Sequence, residues 1–182
     1  VKSLKGTEGI SKAVEKGKSK FVGHEILGKT LGVIGLGAIG VLVANTAANL
    51  GMKVLGYDPY LSVQGALHLD NRVKTADLDT VLRQSDFITV HVPLTPSTDK
   101  MFNADAFAKM KDGSVLINNS RGELTDEDAV LAAVESGKLE RYITDFPSEK
   151  LIGVQNIICV PHLGASTPEE EANCAAMAGA VH

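Results

Sequence analysis

Gly35-Leu36-Gly37-Ala38-Ile39-Gly40 places three glycines at the spacing that lets a backbone close around a phosphate. The motif falls where a β-branched run, 30–36, passes into an Ala-, Leu- and Val-rich stretch, 38–50, that suits a helix. In that context the three glycines differ in what they allow. Gly35 permits the tight turn, Gly37 leaves room for a pyrophosphate at the main chain, and Gly40 lets the helix pack closely. The amides of Ala38 and Ile39, at the positive end of the helix, would face the anion. A glycine triplet alone is weak evidence, since it also serves plain structural turns. Here the next strand, 53–57, leads into Asp58, 18 residues beyond Gly40. A carboxylate there accepts hydrogen bonds from both adenosine ribose hydroxyls and repels a 2′-phosphate. Together the two features point to a dinucleotide, NAD rather than NADP. A methyltransferase using S-adenosylmethionine is the competing reading, because it too combines a glycine turn with an acidic strand end. No GxxxxGK[ST] motif is present, which argues against a nucleotide triphosphatase.

Three further segments carry groups capable of chemistry: His91-Val92-Pro93-Leu94-Thr95, Asn118-Asn119-Ser120-Arg121-Gly122-Glu123 and Pro161-His162-Leu163-Gly164. The first two end, and the third follows, apolar runs read as strands: 87–92, 114–118 and 156–160. Further strands are expected at 71–74 and 141–146. Helices are expected at 78–84, 103–109, 125–136 and 167–180. The helix over 125–136 has Asp126, Glu127 and Asp128 in its first turn and stops at Gly137. Strands without polar alternation, separated by helices, predict an α/β domain: a doubly wound, Rossmann-type parallel sheet with helices on both faces. In such a sheet ligands gather beyond the carboxyl ends of the strands, so the three segments should converge with the glycine turn on one cleft.

Composition narrows the classes. The 182 residues suit one domain, with 44% hydrophobic and 22% charged residues and a net charge of −4. The mixed charges form no basic stripe, aromatics make up 4% and Trp is absent, so a nucleic-acid partner is not expected. No apolar run reaches the roughly 20 residues of a membrane helix. Cys159 and Cys174 form neither a disulfide framework nor a metal cluster, so a reducing, cytoplasmic setting and no metal are expected. The chain opens on Val1, shows no signal segment and reads as part of something longer, with 1–20 a polar lead-in.

From about Gly28 to its end the chain resembles the D-2-hydroxyacid dehydrogenase family. Residues 161–167 and Asn173-Cys174-Ala175 are most similar to the branch that oxidises 3-phosphoglycerate in serine biosynthesis. The resemblance implies that 1–182 is the NAD-binding domain of a larger dehydrogenase. Its cofactor domain would be inserted into a split substrate domain that lies outside this chain, and on its own the chain would bind NAD but turn over poorly. It also implies a homodimer joined through the cofactor domain and a small 2-hydroxy or 2-oxo acid as substrate. Glycerate or hydroxypyruvate reduction, or a non-catalytic NAD-sensing corepressor, are the alternatives. By the same resemblance Arg121 grips the substrate carboxylate, a role suited to a planar, permanently charged fork. His162 exchanges the hydroxyl proton, and imidazole is matched to this near neutrality. Pro59, His91, Val92, Pro93 and Thr98 would border the adenosine half, Asn119 and Ser120 would lie toward the nicotinamide, whose carboxamide Asp145 would hold, and Gly164 would also belong to the cofactor site. One segment departs from the family pattern. The glutamate that normally hydrogen-bonds the histidine falls, without a gap, on Lys150 in Thr144-Asp145-Phe146-Pro147-Ser148-Glu149-Lys150. Glu149 is the expected catalytic carboxylate if the loop shifts by one residue, and Asp145 is the other candidate.

Overall fold

The structure, a computed structural model, describes residues 9–18, 23–164, 166, 167 and 170. Its seven strands are β1 (Thr30–Ile34), β2 (Lys53–Tyr57), β3 (Val73–Thr75), β4 (Phe87–Val90), β5 (Ser114–Asn118), β6 (Leu139–Thr144) and β7 (Ile157–Cys159). All pair in parallel, in the order β3-β2-β1-β4-β5-β6-β7. Chain order reverses direction between β1 and β4, which opens the crevice where a doubly wound sheet takes its ligand. Helix α1 (Ile10–Gly17) lies in the expected lead-in, and none of its residues is buried. The connections carry α2 (Ala38–Asn49), α3 (Val63–His68), α4 (Leu78–Gln84), α5 (Ala104–Lys109) and α6 (Glu127–Glu135).

Side-chain alternation along β1 divides the core in two. Leu31 and Val33 pack with Val41, Ala44, Ala47 and Ala48 of α2 on one face. Ile34 turns to the other face, among Val81 and Leu82 of α4, Phe107 of α5, and Val130 and Val134 of α6. Helix α4 rests directly on β1, because a Cβ on Gly32 would come within 2.7 Å of Val81 Cγ1.

The element ends show where local chemistry departs from the sequence pattern. Strand β1 stops at Ile34 rather than 36 because Gly35 turns the chain at φ 94. Helix α6 begins at Glu127, capped by Asp126, whose carboxylate accepts from the amides of Asp128 and Ala129. Thr125, expected to open that helix, instead donates its hydroxyl to the carbonyl of Gly122. Helix α3 has no counterpart in the sequence pattern; it buries no residue, so its sequence carries no apolar stripe. The helix expected at 167–180 and Cys174 fall outside the described residues, apart from 167 and 170. Among the described residues Cys159 is a free cysteine, and burial pushes its thiol pKa up. Among the described residues no helix is long and apolar enough to cross a membrane.

The amino ends of β1, β4 and β5 meet at Asp86, which accepts from the Thr30 amide at 2.8 Å and the Lys111 ammonium at 2.9 Å. Burial pushes this carboxyl pKa up, but those two partners, with the charge of Lys29, outweigh it and hold it below the usual value. A carboxylate whose folded pKa is depressed stabilises above its unfolded pKa, and that contribution fades as pH falls through the folded value. Asp86→Asn is therefore expected to lower unfolding free energy by about 1 kcal/mol at pH 7. Urea denaturation should show the difference shrinking below about pH 4.

Candidate functional site

The glycine turn is built without room for side chains on its inner side. A Cβ on Gly40 would lie 1.9 Å from the Gly35 carbonyl oxygen, and one on Gly35 would lie 2.6 Å from the His91 carbonyl oxygen. Around Gly37 nothing lies within 4 Å of a built Cβ, so the main chain there is open to an approaching group. Among the described residues no acceptor takes the amides of Ala38 and Ile39, the first of α2. Asp58 does more than wait for a ribose: its Oδ2 accepts from the Leu36 amide and its Oδ1 from the Tyr60 amide, both at 2.8 Å. Open backbone, unclaimed amides and a carboxylate at the end of β2 fit the pyrophosphate and adenosine ribose of a dinucleotide.

The remaining expected residues sit at the carboxyl ends of neighbouring strands. His91 follows β4, its Nε2 3.0 Å from Thr89 Oγ1, and burial lowers its pKa. Val92 packs by the glycine turn, while Pro59 and Pro93 are exposed. Thr98 is committed to its own loop, donating to the Pro93 carbonyl at 2.7 Å and accepting from the Thr95 amide at 2.8 Å. After β5, Asn119 and Arg121 are exposed and Ser120 donates to the Val90 carbonyl.

The Arg121 loop is stiffened by buried polar residues: Asn118, which opens the Asn118–Glu123 segment, and Thr125 and Tyr142, which lie outside the sequence motifs. Asn118 donates its amide to the Arg121 carbonyl at 2.8 Å and accepts from the Ser120 amide. The Tyr142 hydroxyl, from β6, lies 3.1 Å from Thr125 Oγ1, which itself holds the Gly122 carbonyl. A polar residue closing an apolar strand, Asn118 after Ser114-Val-Leu-Ile, is the one signal of this in the sequence.

His162 lies beyond β7, two strands from Arg121, or about 10 Å across the sheet. Its Nδ1 lies 2.7 Å from Asp145 Oδ2. Asp145 is buried, and among the described residues its Oδ1 has no partner, so one carboxylate oxygen remains for another donor. Gly164 is exposed, and a Cβ on it would lie 3.9 Å from His162 Nε2. The expectation that Glu149 would meet the histidine does not hold in this structure. Leu151 is buried and Lys150 pairs with Asp128 at 2.8 Å, and the turn between Asp145 and these anchors leaves Glu149 exposed. Beside the pair runs a cleft of about 570 Å³ lined by Lys100, Gly122, Thr125, Asp145, Phe146 and Ser148.

A parallel sheet with its ligand turn at the β1–β4 crevice, and an arginine and a carboxylate-paired histidine at nearby strand ends, define a nicotinamide-cofactor domain of a dehydrogenase. Residues 2–164 match the family described as D-isomer specific 2-hydroxyacid dehydrogenase, NAD binding domain, and the chain belongs to that family. It is 40% identical to a D-3-phosphoglycerate dehydrogenase of Synechocystis sp. over 174 residues, which are 91% of this chain and 31% of that protein. It is 42% identical to a hydroxypyruvate reductase of Thermotoga maritima, over 85% of this chain and 52% of that one. Among solved structures, a D-lactate dehydrogenase with NAD+ from Lactobacillus jensenii superposes with a TM-score of 0.75 at 32% identity, covering 90% of this chain and 56% of the other. The chain thus spans between about a third and about half of these relatives. NAD is its cofactor.

Two glycines of the turn should respond differently to a methyl group. Gly37→Ala is expected to leave the urea midpoint unchanged and to weaken NAD binding at least about tenfold, or 1.4 kcal/mol, by titration calorimetry. Gly40→Ala drives a methyl into a carbonyl oxygen and should cost about 3 kcal/mol of stability or more, whether or not NAD is present.

Proposed function

We propose that this chain is the cofactor half of an enzyme interconverting a D-2-hydroxy acid and its 2-oxo acid, with 3-phosphoglycerate, in serine biosynthesis, as the hydroxy acid. The observation that carries the reading is the His162–Asp145 pair at 2.7 Å. An ionised carboxylate only accepts, so Nδ1 is the donor and the Nε2 lone pair of the neutral ring is left to take a proton. Arg121, free of any carboxylate partner among the described residues, offers its fork to the substrate carboxylate and fixes which end of the molecule faces the histidine. As the hydroxy acid is oxidised, His162 Nε2 takes the hydroxyl proton, and in the reverse direction it returns it. Bound NAD supplies the hydride acceptor. Asp145 holds the imidazole in the required tautomer and supports the imidazolium that forms, while its second oxygen suits the carboxamide donor of the nicotinamide. Gly35, Gly37, Ala38, Ile39, Gly40 and Asp58 take the pyrophosphate and adenosine ribose; His91, Val92, Pro93, Asn119 and Ser120 wall the crevice. The protein acts as a homodimer joined through this domain, in the cytoplasm.

The likeness to a hydroxypyruvate reductase favours a second reading of the substrate, the unphosphorylated acid. The ratio of kcat/KM for 3-phosphohydroxypyruvate and hydroxypyruvate, with NADH and the longer protein that carries this domain, separates the two. In that assay Arg121→Ala and His162→Ala should each lower kcat/KM by about two to four orders of magnitude. Asp145→Asn should lower kcat more than Glu149→Gln does, because only Asp145 touches the ring. Full activity in both the Arg121 and His162 variants would sink the assignment. NAD binding without turnover of any 2-oxo acid would instead make the domain a sensor.

A further inference from the structure

One hydrogen bond does not fix an imidazole. Among the described residues Asp145, on Nδ1, is the one hydrogen-bond partner of His162; that single bond leaves the ring able to swing about the Nδ1···Oδ2 axis and to break away from it, and nearly half of the side chain is exposed. A second contact off that axis is present: the centroid of the Phe146 ring lies 4.8 Å from that of His162, with the planes tilted by 44°. That separation is in the range where aromatic rings attract. Phe146 has its own seat. A Cβ on Gly122 would lie 3.3 Å from Phe146 Cβ and 3.8 Å from Cγ, so the phenylalanine rests against the bare main chain of the residue that follows Arg121. Gly122 in turn is held by its carbonyl, which accepts from the buried Thr125 hydroxyl. A continuous chain of contacts therefore runs from the Arg121 loop through Phe146 to the imidazole.

We propose that Phe146 is a positioning residue: packed on Gly122 at one end and on His162 at the other, it sets the orientation of the imidazole against the Arg121 loop and so the direction in which Nε2 faces the substrate. The proposal rests on the acid/base role given to His162 above, but it concerns the ring's orientation and can be tested apart from turnover. It also assigns a reason for glycine at 122, since a Cβ there would press on Phe146 at 3.3 Å and require it to shift by a few tenths of an ångström.

The test is a long-range ¹H–¹⁵N correlation spectrum of the histidine side chains of the full 182-residue chain. His162 is identified by its loss in His162→Gln, and NAD affinity is measured alongside. The native chain is expected to show His162 as the Nδ1–H tautomer. In Phe146→Leu the ring is no longer held on the carboxylate, so the Nδ1–H···Oδ2 bond breaks part of the time and a mixture of tautomers is expected, with the NAD dissociation constant unchanged within about twofold, since no phosphate- or ribose-binding group is touched. Phe146→Tyr, which keeps the ring, should restore the native pattern. In the longer enzyme Phe146→Leu should lower kcat about tenfold at constant KM for NAD, and Phe146→Tyr should recover it. A Phe146→Leu spectrum identical to the native one overturns the proposal, as does equal damage from leucine and tyrosine. Absence of dehydrogenase activity in the unsubstituted protein, with the tautomer shift intact, overturns the catalytic reading and leaves the positioning role standing.

Discussion

Between the first residue of the glycine turn and the first turn of α2 there is space for a hydrogen atom and nothing larger, and the cofactor site depends on that closeness. Because Gly40 sits on the Gly35 carbonyl, α2 begins directly above the end of β1 and its unpaired amides open on the crevice. The same crowding brings the His91 carbonyl against Gly35, so the segment after β4 forms the other wall of the crevice. A side chain at either glycine would move the helix start away from the sheet, and with it the positive end that favours an anion. In the proposed site, anion binding is a property of main-chain placement rather than of a lysine or arginine.

The other half of the site is organised differently. At the ends of β5, β6 and β7 the main chain supplies position and the side chains supply chemistry. Loops that carry exposed reactive groups lose orientation unless something buried restrains them, and here buried polar residues do so. Asn118, Thr125 and Tyr142 are each almost wholly removed from water and satisfy one another and the loop carbonyls. Unpaired, such groups would each cost about 1–3 kcal/mol, so the network tolerates few alternative arrangements of the loop. Arg121 can remain exposed, its Nη1 donating to the Ser120 carbonyl, while its own carbonyl is held by Asn118.

Much of this is legible from residue order because the informative signals are local. Glycine spacing, a carboxylate after the second strand and apolar runs free of polar alternation all report backbone geometry within a few residues of themselves. The strands at Lys53–Tyr57 and Ser114–Asn118 and the helix at Leu78–Gln84 have the bounds their patterns imply. Sequence pattern overextends the strand ends to 36 and 92 because hydrophobicity continues past the last ladder hydrogen bond, into residues that wall the turn. Helix α3 escapes because an exposed two-turn helix leaves no periodic trace. The partner of His162 is the least legible feature. Asp145 and Glu149 are chemically similar and four residues apart, and what separates them is tertiary: the burial of Leu151 and the tether of Lys150 to Asp128 on α6. Phe146 and Tyr142 give no sequence signal beyond being aromatic, since their roles exist only once distant loops meet.

With the ribose role proposed for it, Asp58 ties cofactor choice to the architecture of the turn. Both of its oxygens already hold main-chain amides, one inside the glycine loop and one in the chain that leaves β2. An exchange to a small or basic residue that welcomed a ribose phosphate would also release Leu36 from the carboxylate that anchors it. Drift of this domain toward a phosphorylated dinucleotide therefore runs through a less ordered turn, and the preference for NAD is protected by a mechanical linkage as well as by charge. An evolutionary route across that gap needs a second donor or acceptor to re-anchor the Leu36 amide before Asp58 is given up.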